Sequence, residues 1–450
     1  MDQLSRRDLL KRALQGSLGL AALSSLQLTA MSKALAAQSA PITGYKALVC
    51  VFLFGGNDSA NMLIPLTGDS LNAYQQARQS LAVNAPIPIS PRTPVAEGIG
   101  FHPALASLQP LFASEQLAVI SGVGALQQPT SKTQVQQGTA LLPKNLYSHN
   151  DQQATWMRGQ EPQSLDRGWG AQMMELLQSA PDFSSCISLS GTNLWQRGQL
   201  LQPFGMSAKG VSGLTAHSGN SQRALLMKNL QTALMAPQAH PLAELYSQSN
   251  TAAQARSLII ADALTQAPTL NTVFAADNHL AQQLQMVAKL ISVQSRLGVG
   301  RQVFFVGMGG FDTHDDQNTV HPALLSQLSS ALASFVAATT ELGVAEQVTS
   351  FTMSDFGRTL SSNGDGTDHG WAGNQLVLGG AVRGGEIFGQ LLQQRLGSEL
   401  DLGGGRMIPT TANVQLFASL ASWFGLSNSQ LLQIFPALSA FNASALPLFR

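Results

Sequence analysis

The sequence predicts an α/β protein with a doubly wound, mostly parallel sheet flanked by helices. Six apolar runs rich in valine, leucine, isoleucine and phenylalanine recur along the chain, and segments with a helical period lie between them. Continuous apolar runs are typical of strands that are buried on both faces of a sheet. Strands that alternate with helices form parallel sheets covered on both sides. The six predicted strands are Lys46–Phe54, Gln116–Val123, Cys186–Leu189, Gln302–Val306, Val348–Met353 and Gln375–Leu378.

Three later segments are predicted to be helices. Apolar residues recur at a helical period in Phe274–Leu297. Pro322–Leu342 has a proline at its start, and Thr411–Phe424 is closed by a glycine, which are common helix boundaries. Ser190–Pro268 differs, because it is rich in Gln, Ser, Gly and Ala and has few strand signals. We expect this helical or irregular segment, 190–268, to be an insertion or a cap over the sheet.

Composition limits the classes of partner. The 450 residues are 44% hydrophobic and 11% charged, which is enough for a large core. The formal net charge is +0, so no overall field attracts nucleic acid or an anionic membrane. Cys50 and Cys186 both lie in predicted strands, and we expect them to pack as small apolar residues without forming a disulfide.

The N-terminus predicts export. Ser5–Lys11 contains the pair Arg6-Arg7, a mildly apolar stretch follows, and Ala34–Ala36 is a small-residue cleavage site. Together these features are typical of a signal for the twin-arginine export machinery, so residues 1–36 are excluded from the fold and residues 37–450 form the α/β domain. An amphipathic helix retained on the protein is the alternative. The stretch is too polar for a stable membrane span. We expect a periplasmic or secreted protein.

Acidic residues and histidines follow several predicted strands. Asp58 comes after Gly55-Gly56, Asp312 and His314 follow a second run, and Asp355 follows a third. Ligands of doubly wound proteins bind at the carboxyl ends of the strands. Residues i and i+2 of an extended segment face the same way, so the second pair can share one ion. Converging carboxylates and imidazoles make a divalent metal site, with zinc or manganese, the leading interpretation.

Each of these residues also has a structural alternative. Asp58, taken alone, is better explained as a turn residue that caps the next helix. Arg358 follows Asp355 by three positions and could hold an anionic oxygen bidentately, form a salt bridge with Asp355, or do both. His369 lies in a glycine-rich loop, which favours a metal ligand, with Asp368 orienting its ring.

Ser148 has two interpretations of equal weight. It precedes a helical stretch, where unpaired backbone N–H groups favour anions, so it could act as a nucleophile. As an N-cap with Asp151 three residues later, it is also explained without any chemistry.

Several motifs in order resemble a known family. Their combination resembles the exported proteins of domain-of-unknown-function family 1501, over most of residues 45–445. That family is similar to the alkaline phosphatase and sulfatase superfamily, whose members hold one or two metals at strand ends. The motifs are Phe54–Asp58, Phe101–Leu105, Ser148-His149, Gly309–His314, Ser354–Thr359, Asp368–Trp371, Ser422–Leu426 and Ile434–Pro436.

The resemblance implies two sites. Asp312, His314 and His369 would form one, and Asp58 with Asp355 would form the other. The second departs from the wider pattern, in which an Asp-His pair is usual, because a phenylalanine follows Asp355 here. Sulfatases also need a cysteine or serine in a C/S-x-P/A-x-R context, which neither cysteine nor the Ser148 segment provides. Ordinary sulfatase chemistry is therefore not expected.

Two functions remain at this point. The first is an exported metal-dependent hydrolase or transferase of phosphate- or sulfate-like esters, in which metal activates Ser148 or a water and Arg358 stabilises the transferred group. The second is an exported binding or assembly protein that keeps the fold without turnover. The Asp/His set favours the enzyme, while the missing histidine and the two interpretations of Ser148 favour the binding protein.

Overall fold

A nine-stranded sheet forms the centre of the molecule. The structure, a computed structural model, describes residues 44–159, 166–178, 181–211, 220–442 and 444–450, so the predicted signal segment 1–36 lies outside the described residues. The strands are β1 (Lys46–Leu53), β2 (Leu63–Pro65), β3 (Ile87–Ile89), β4 (Ile99–Phe101), β5 (Leu117–Gly124), β6 (Cys186–Ser188), β7 (Phe204–Gly205), β8 (Arg301–Met308), β9 (Val348–Ser354), β10 (Arg358–Ser362), β11 (Thr367–His369), β12 (Gly373–Leu378), β13 (Ile387–Phe388) and β14 (Thr411–Ala412).

Helices connect these strands and cover the sheet. The described helices are α1 (Gly68–Arg78), α2 (Gln109–Ala113), α3 (Lys132–Gln136), α4 (His149–Arg158), α5 (Trp169–Leu177), α6 (Gln222–Met235), α7 (Pro241–Leu264), α8 (His279–Ser292), α9 (Gln317–Glu341), α10 (Asn413–Phe424) and α11 (Asn428–Ile434). Short 3₁₀ turns join several of them.

The sheet is mostly parallel. Its order is β13-β5-β12-β9-β1-β8-β6-β7, with β14 also paired to β5. Among these strands β12 alone is antiparallel to both neighbours, β5 and β9. All six predicted strands lie in this sheet, and β1 sits at its centre between β8 and β9. The carboxyl ends of these three strands therefore meet at one edge.

Helices cover both faces of the sheet, as the fold class requires. Val49 and Val51 of β1 enter one core cluster together with residues of α8 and α9. Leu48, Cys50 and Phe52 of the same strand enter a second cluster with residues of α5 and α10. Successive strand residues point to opposite faces, so a strand with a core on each side is apolar throughout. The α/β prediction is confirmed.

Both cysteines are buried and free, as expected. The helix predicted to start at Pro322 begins one turn earlier, at Gln317, with the proline inside it. This helix, α9, is long and apolar enough to cross a membrane by length and composition, but half of its most apolar window is buried in the protein. It packs on α8 as a core helix does.

The 190–268 segment contains β7 at the sheet edge and a pair of helices, α6 and α7. The two helices contact each other. No described hydrogen bond or ion pair joins this segment to the strand ends where the predicted site residues lie. Its role as an insertion or cap stays a prediction.

Two further small sheets support the strand ends. β2, β4 and β3 form one, and β10 pairs with β11 in the other. The β10–β11 pair is antiparallel, with Arg358 opposite His369. This register places two predicted site residues side by side next to the end of β9.

Candidate metal centre

Three imidazoles surround the carboxylate of Asp312 near the ends of β8 and β9. His149 Nε2 lies 3.4 Å from Asp312 Oδ2. His314 Nε2 and His369 Nε2 lie 3.1 Å and 3.2 Å from Asp312 Oδ1. The ligand atoms of His149, Asp312 and His369 all lie within 4.8 Å of one another. The predicted residues Asp312, His314 and His369 are thus brought together, and His149 joins them.

Each ring is held from behind through its Nδ1 atom. His149 Nδ1 lies 2.7 Å from Asp355 Oδ2, and His369 Nδ1 lies 2.8 Å from the backbone oxygen of Tyr147. His314 Nδ1 lies 3.3 Å from Asp368 Oδ1. All three partners are hydrogen-bond acceptors, so with a cation at the cluster each ring would keep its proton on Nδ1 and present Nε2 to the ion.

This arrangement fits a bound cation. His314 Nε2 and His369 Nε2 lie 3.0 Å apart, and both lie beside the Asp312 carboxylate. Ligands at about 2.0–2.2 Å from a tetrahedral ion are separated by roughly 3.3 Å, close to the spacing here. Metal-binding histidines are usually fixed through the second ring nitrogen in this way. His149, Asp312 and His369, with His314 beside them, have the donors and spacing to hold a divalent metal.

Two glycines after β1 allow the Asp312 loop and Phe356 to pack closely against the end of this strand. Gly55 and Gly56 follow β1 with φ values of 116° and 79°. A Cβ atom at Gly55 would lie 2.4 Å from the Asp312 nitrogen, and one at Gly56 would lie 2.4 Å from the Phe356 ring. Larger residues at either position would push the Asp312 loop or Phe356 away.

Phe356 forms the apolar wall of the site. Its ring centroid lies 5.0 Å from that of His149 and 4.5 Å from that of His369. The phenylalanine that breaks the wider Asp-His pattern therefore packs against two of the imidazoles. Phe356 is itself buried, so this side of the two imidazoles is covered by an apolar ring.

Asp355 lies behind the cluster and does not face Asp312. Its Oδ2 atom accepts from His149, from Gln153 Nε2 at 3.0 Å and from the Gly55 nitrogen at 3.2 Å. Burial raises the pKa of Asp355, against the lowering effect of these hydrogen bonds. Its observed contacts are those of a residue that orients His149, whereas the resemblance implied a ligand of a second metal.

Asp58 is not part of the cluster. Its carboxylate is fully buried and accepts from Arg78 Nη2 at 2.5 Å and from Gln317 Nε2 at 2.6 Å. It also makes no side-chain cap to the 3₁₀ turn that follows it. Both Asp58 oxygens are therefore bound within the protein, and the second metal site at Asp58 and Asp355 that the resemblance implied stays a prediction.

Arg358 is fully buried behind Asp312, with no surface for a substrate. Nη1 donates to Asp312 Oδ1 at 2.6 Å and to the Gly55 oxygen at 3.2 Å. Nε and Nη2 donate to the side chain and backbone of Thr367. Arg358 thus pairs with Asp312, not with Asp355, and its guanidinium makes four described hydrogen bonds within the protein. Its expected role as the cation on a transferred group stays a prediction.

Burial and neighbouring groups shift the pKa values of two candidate ligands, Asp312 and His369. Burial raises the pKa of Asp312, but the hydrogen bond and charge of Arg358, with the charges of His314 and His149, outweigh it and hold the pKa below the ordinary value. Burial lowers the pKa of His369. A carboxylate and a neutral imidazole are the forms that bind metal. Asp312 is 44% exposed, so the cluster remains open to solvent.

Asp368 does not orient the ring that it was predicted to orient. Asp368 contacts His314, whereas His369 is oriented by the Tyr147 carbonyl.

Ser148 is the N-cap residue of α4, and its hydrogen bond with Asp151 lowers the pKa of that carboxyl. No described contact joins the Ser148 side chain to the cluster, so its role as a nucleophile stays a prediction.

His149 was not predicted as a site residue. In the Ser148-His149 pair, only the serine was predicted to take part in catalysis, as a nucleophile. The missed signal is a histidine at the first position of a helix, where the ring can reach back to a strand-end carboxylate such as Asp355.

Fold and site define a class: an α/β protein with a histidine–aspartate cluster at the carboxyl ends of parallel strands. A family model described as "Protein of unknown function (DUF1501)" matches residues 45–399, and the chain belongs to this family, as the motifs predicted. No curated protein matches the chain.

Solved structures give a distant similarity. The chain is similar to Ps i-CgsB in complex with k-i-k-neocarrahexaose, with a TM-score of 0.34 and 10% identity over 90% of this chain and 77% of that one. It is also similar to PsFucS1 sulfatase from Pseudoalteromonas sp., with a TM-score of 0.30 and 10% identity over 82% and 69%. These scores carry no argument about activity.

Proposed function

We propose that this protein is an exported metal-dependent hydrolase or transferase of sulfate- or phosphate-like esters. The observation that carries the proposal is the set of three imidazoles whose Nε2 atoms surround Asp312 while every Nδ1 atom faces an acceptor. In this orientation the Nε2 atoms and the Asp312 carboxylate are directed to one point, where a cation can bind them. Imidazole and carboxylate ligands suit zinc or manganese.

The residues of the chain have separate tasks in this proposal. His149, Asp312 and His369, with His314, hold the ion, which supplies Lewis acidity toward an ester oxygen. Asp355 keeps the His149 proton on Nδ1. Arg358 keeps Asp312 ionised and fixed. Phe356 covers one side, and the exposed faces of Asp312 and His314 leave the other side open to substrate.

The alternative is an exported binding or assembly protein with a degenerate site. Two observations favour it: Arg358 has its donors engaged within the protein, and Ser148 makes no described contact with the cluster. In this case the metal would be structural or absent.

One experiment separates these functions. Protein purified without chelators should contain about one zinc or manganese ion per chain. The loaded protein should hydrolyse at least one member of a panel of phosphomonoesters, phosphodiesters and sulfate esters, and chelation should abolish that turnover. Stoichiometric metal without any turnover would support the binding protein. Absence of metal, with no uptake on reconstitution, would overturn both the site and the enzyme.

Export is tested independently of catalysis. We expect replacement of Arg6 and Arg7 by lysine to trap the precursor inside the cell, because the twin-arginine pair precedes a soft apolar segment. Cell fractionation and immunoblotting give the periplasmic fraction of each variant. A variant with Arg223 changed to lysine is the matched control. If the double variant reaches the periplasm in normal amounts, the export proposal is wrong.

A further inference from the structure

Three consecutive glycines form a turn near the metal centre. Gly403, Gly404 and Gly405 all have positive φ values of 120°, 63° and 78°. Asp401, which is buried, accepts from the Gly403 and Gly405 nitrogens at 2.7 Å and 2.8 Å. A carboxylate that binds two amides of one turn fixes its conformation. The residue that follows, Arg406, is therefore presented from a rigid support.

The turn is attached to the hairpin that carries site residues. The Leu360 and Ser361 nitrogens of β10 donate to the Gly405 and Gly404 oxygens at 3.2 Å and 3.3 Å, and Ser361 Oγ donates to the Gly404 oxygen at 2.6 Å. A Cβ atom at Gly405 would lie 2.4 Å from Leu360 Cβ. Since β10 begins with Arg358, the turn and the metal centre share one framework.

Arg406 lies at the edge of the cluster. Its guanidinium carbon is 5.6 Å from the centroid of the Tyr147 ring, whose backbone oxygen orients His369. Tyr147 thus connects Arg406 to the cluster, with its ring beside the guanidinium and its backbone oxygen against His369 Nδ1.

Arg406 also has unused donors, unlike Arg358. Among the described residues its guanidinium makes one hydrogen bond, from Nη1 to the Gly403 oxygen at 3.4 Å, and no ion pair. Tyr147 is 38% exposed, so this pair is accessible to solvent. A guanidinium over an aromatic ring keeps donors free for bidentate binding of an anion.

We propose that Arg406 and Tyr147 form a subsite for a second anionic group of the substrate. The inference rests on the proposed function and deepens it. Among the described contacts Arg406 is joined to the cluster through Tyr147 and not through any Nε2 atom, so the group that it binds differs from the ester at the metal. The substrate class is therefore an ester with at least two anionic groups, such as a bisphosphate or a multiply sulfated saccharide.

The test uses metal-loaded protein and two probes, a hexose bisphosphate and the matching hexose monophosphate. Calorimetry should show tighter binding of the bisphosphate to the wild type. Arg406→Gln should weaken bisphosphate binding by about tenfold or more, the value of a charge-assisted hydrogen bond, and leave monophosphate binding within about twofold. Arg406→Lys should recover part of the loss, because the charge returns without the planar fork.

Arg395→Gln is the matched control, since Arg395 is exposed and its only described contact is with the Asp69 oxygen at 3.5 Å. Metal content and melting temperature should not change in any of these variants. Equal binding of both probes to the wild type, or equal loss of both in Arg406→Gln, would overturn the subsite while the metal centre stood. A wild type without metal would instead overturn the proposed function, and the subsite with it.

Discussion

Alanine at His369 is expected to remove most of the bound metal without unfolding the protein. His369 Nε2 lies 3.2 Å from Asp312 Oδ1 and 3.0 Å from His314 Nε2, so its removal opens one side of the cluster. Loss of a residue that only orients a ligand costs about 10–100-fold in affinity, and loss of the ligand itself should cost on the order of 100-fold or more. His149→Ala should behave in the same way.

Melting temperatures make this prediction specific. Metal binding stabilises the native state, so the loaded variant should melt close to the chelated wild type. The metal-free forms of variant and wild type should melt close together. His279→Ala is the control, because His279 is exposed and contacts only Gln283 among the described residues. A packing histidine would give the opposite pattern: equal loss of stability with and without metal, and unchanged metal content.

The largest stability effect is expected for Asp58→Asn. Asp58 and Arg78 are both fully buried and joined at 2.5 Å, and the asparagine would leave the guanidinium without its counter-charge. Breaking one partner of a buried pair costs about 3–5 kcal/mol. Metal content should stay at the wild-type value, because both Asp58 oxygens are bound within the protein. Denaturant unfolding with and without chelator, together with elemental analysis, measures both quantities.

Asp166→Asn is the matched control for this variant. Asp166 also pairs with an arginine, Arg158, at 2.7 Å, but is 62% exposed. Exposed pairs contribute up to about 1 kcal/mol, so this change should be small. A loss of metal in Asp58→Asn, with little effect on the metal-free protein, would make Asp58 a ligand and revive the second site.

The strands could be predicted because the apolar runs that mark them are a local property of the sequence. β8 and β9 are buried at every residue and β1 at every residue after Lys46, and the apolar runs within them follow from burial on both faces. The strand-end position of Asp312 followed from the same pattern. Helix boundaries were less certain: proline signals a helix start from sequence, yet α9 accommodates Pro322 one turn inside.

Side-chain partners could not be predicted, because they depend on contacts between distant segments. Asp58 follows β1, but whether it faces the cluster depends on Arg78, which arrives from α1 and is fully buried there. His149 reaches Asp355 across 206 positions of sequence. The sequence shows which residues lie near the sheet edge, but not which carboxylate binds a cation and which one orients a ring.

Anomalous diffraction from crystals of the zinc- or manganese-loaded protein would locate the metal directly. We expect one strong peak per chain, at about 2.0–2.2 Å from His149 Nε2, His369 Nε2 and an Asp312 oxygen, with His314 Nε2 beside it. We expect no peak between Asp58 and Asp355. A peak at Asp58, or no peak at the three imidazoles in protein saturated with metal, would contradict this expectation.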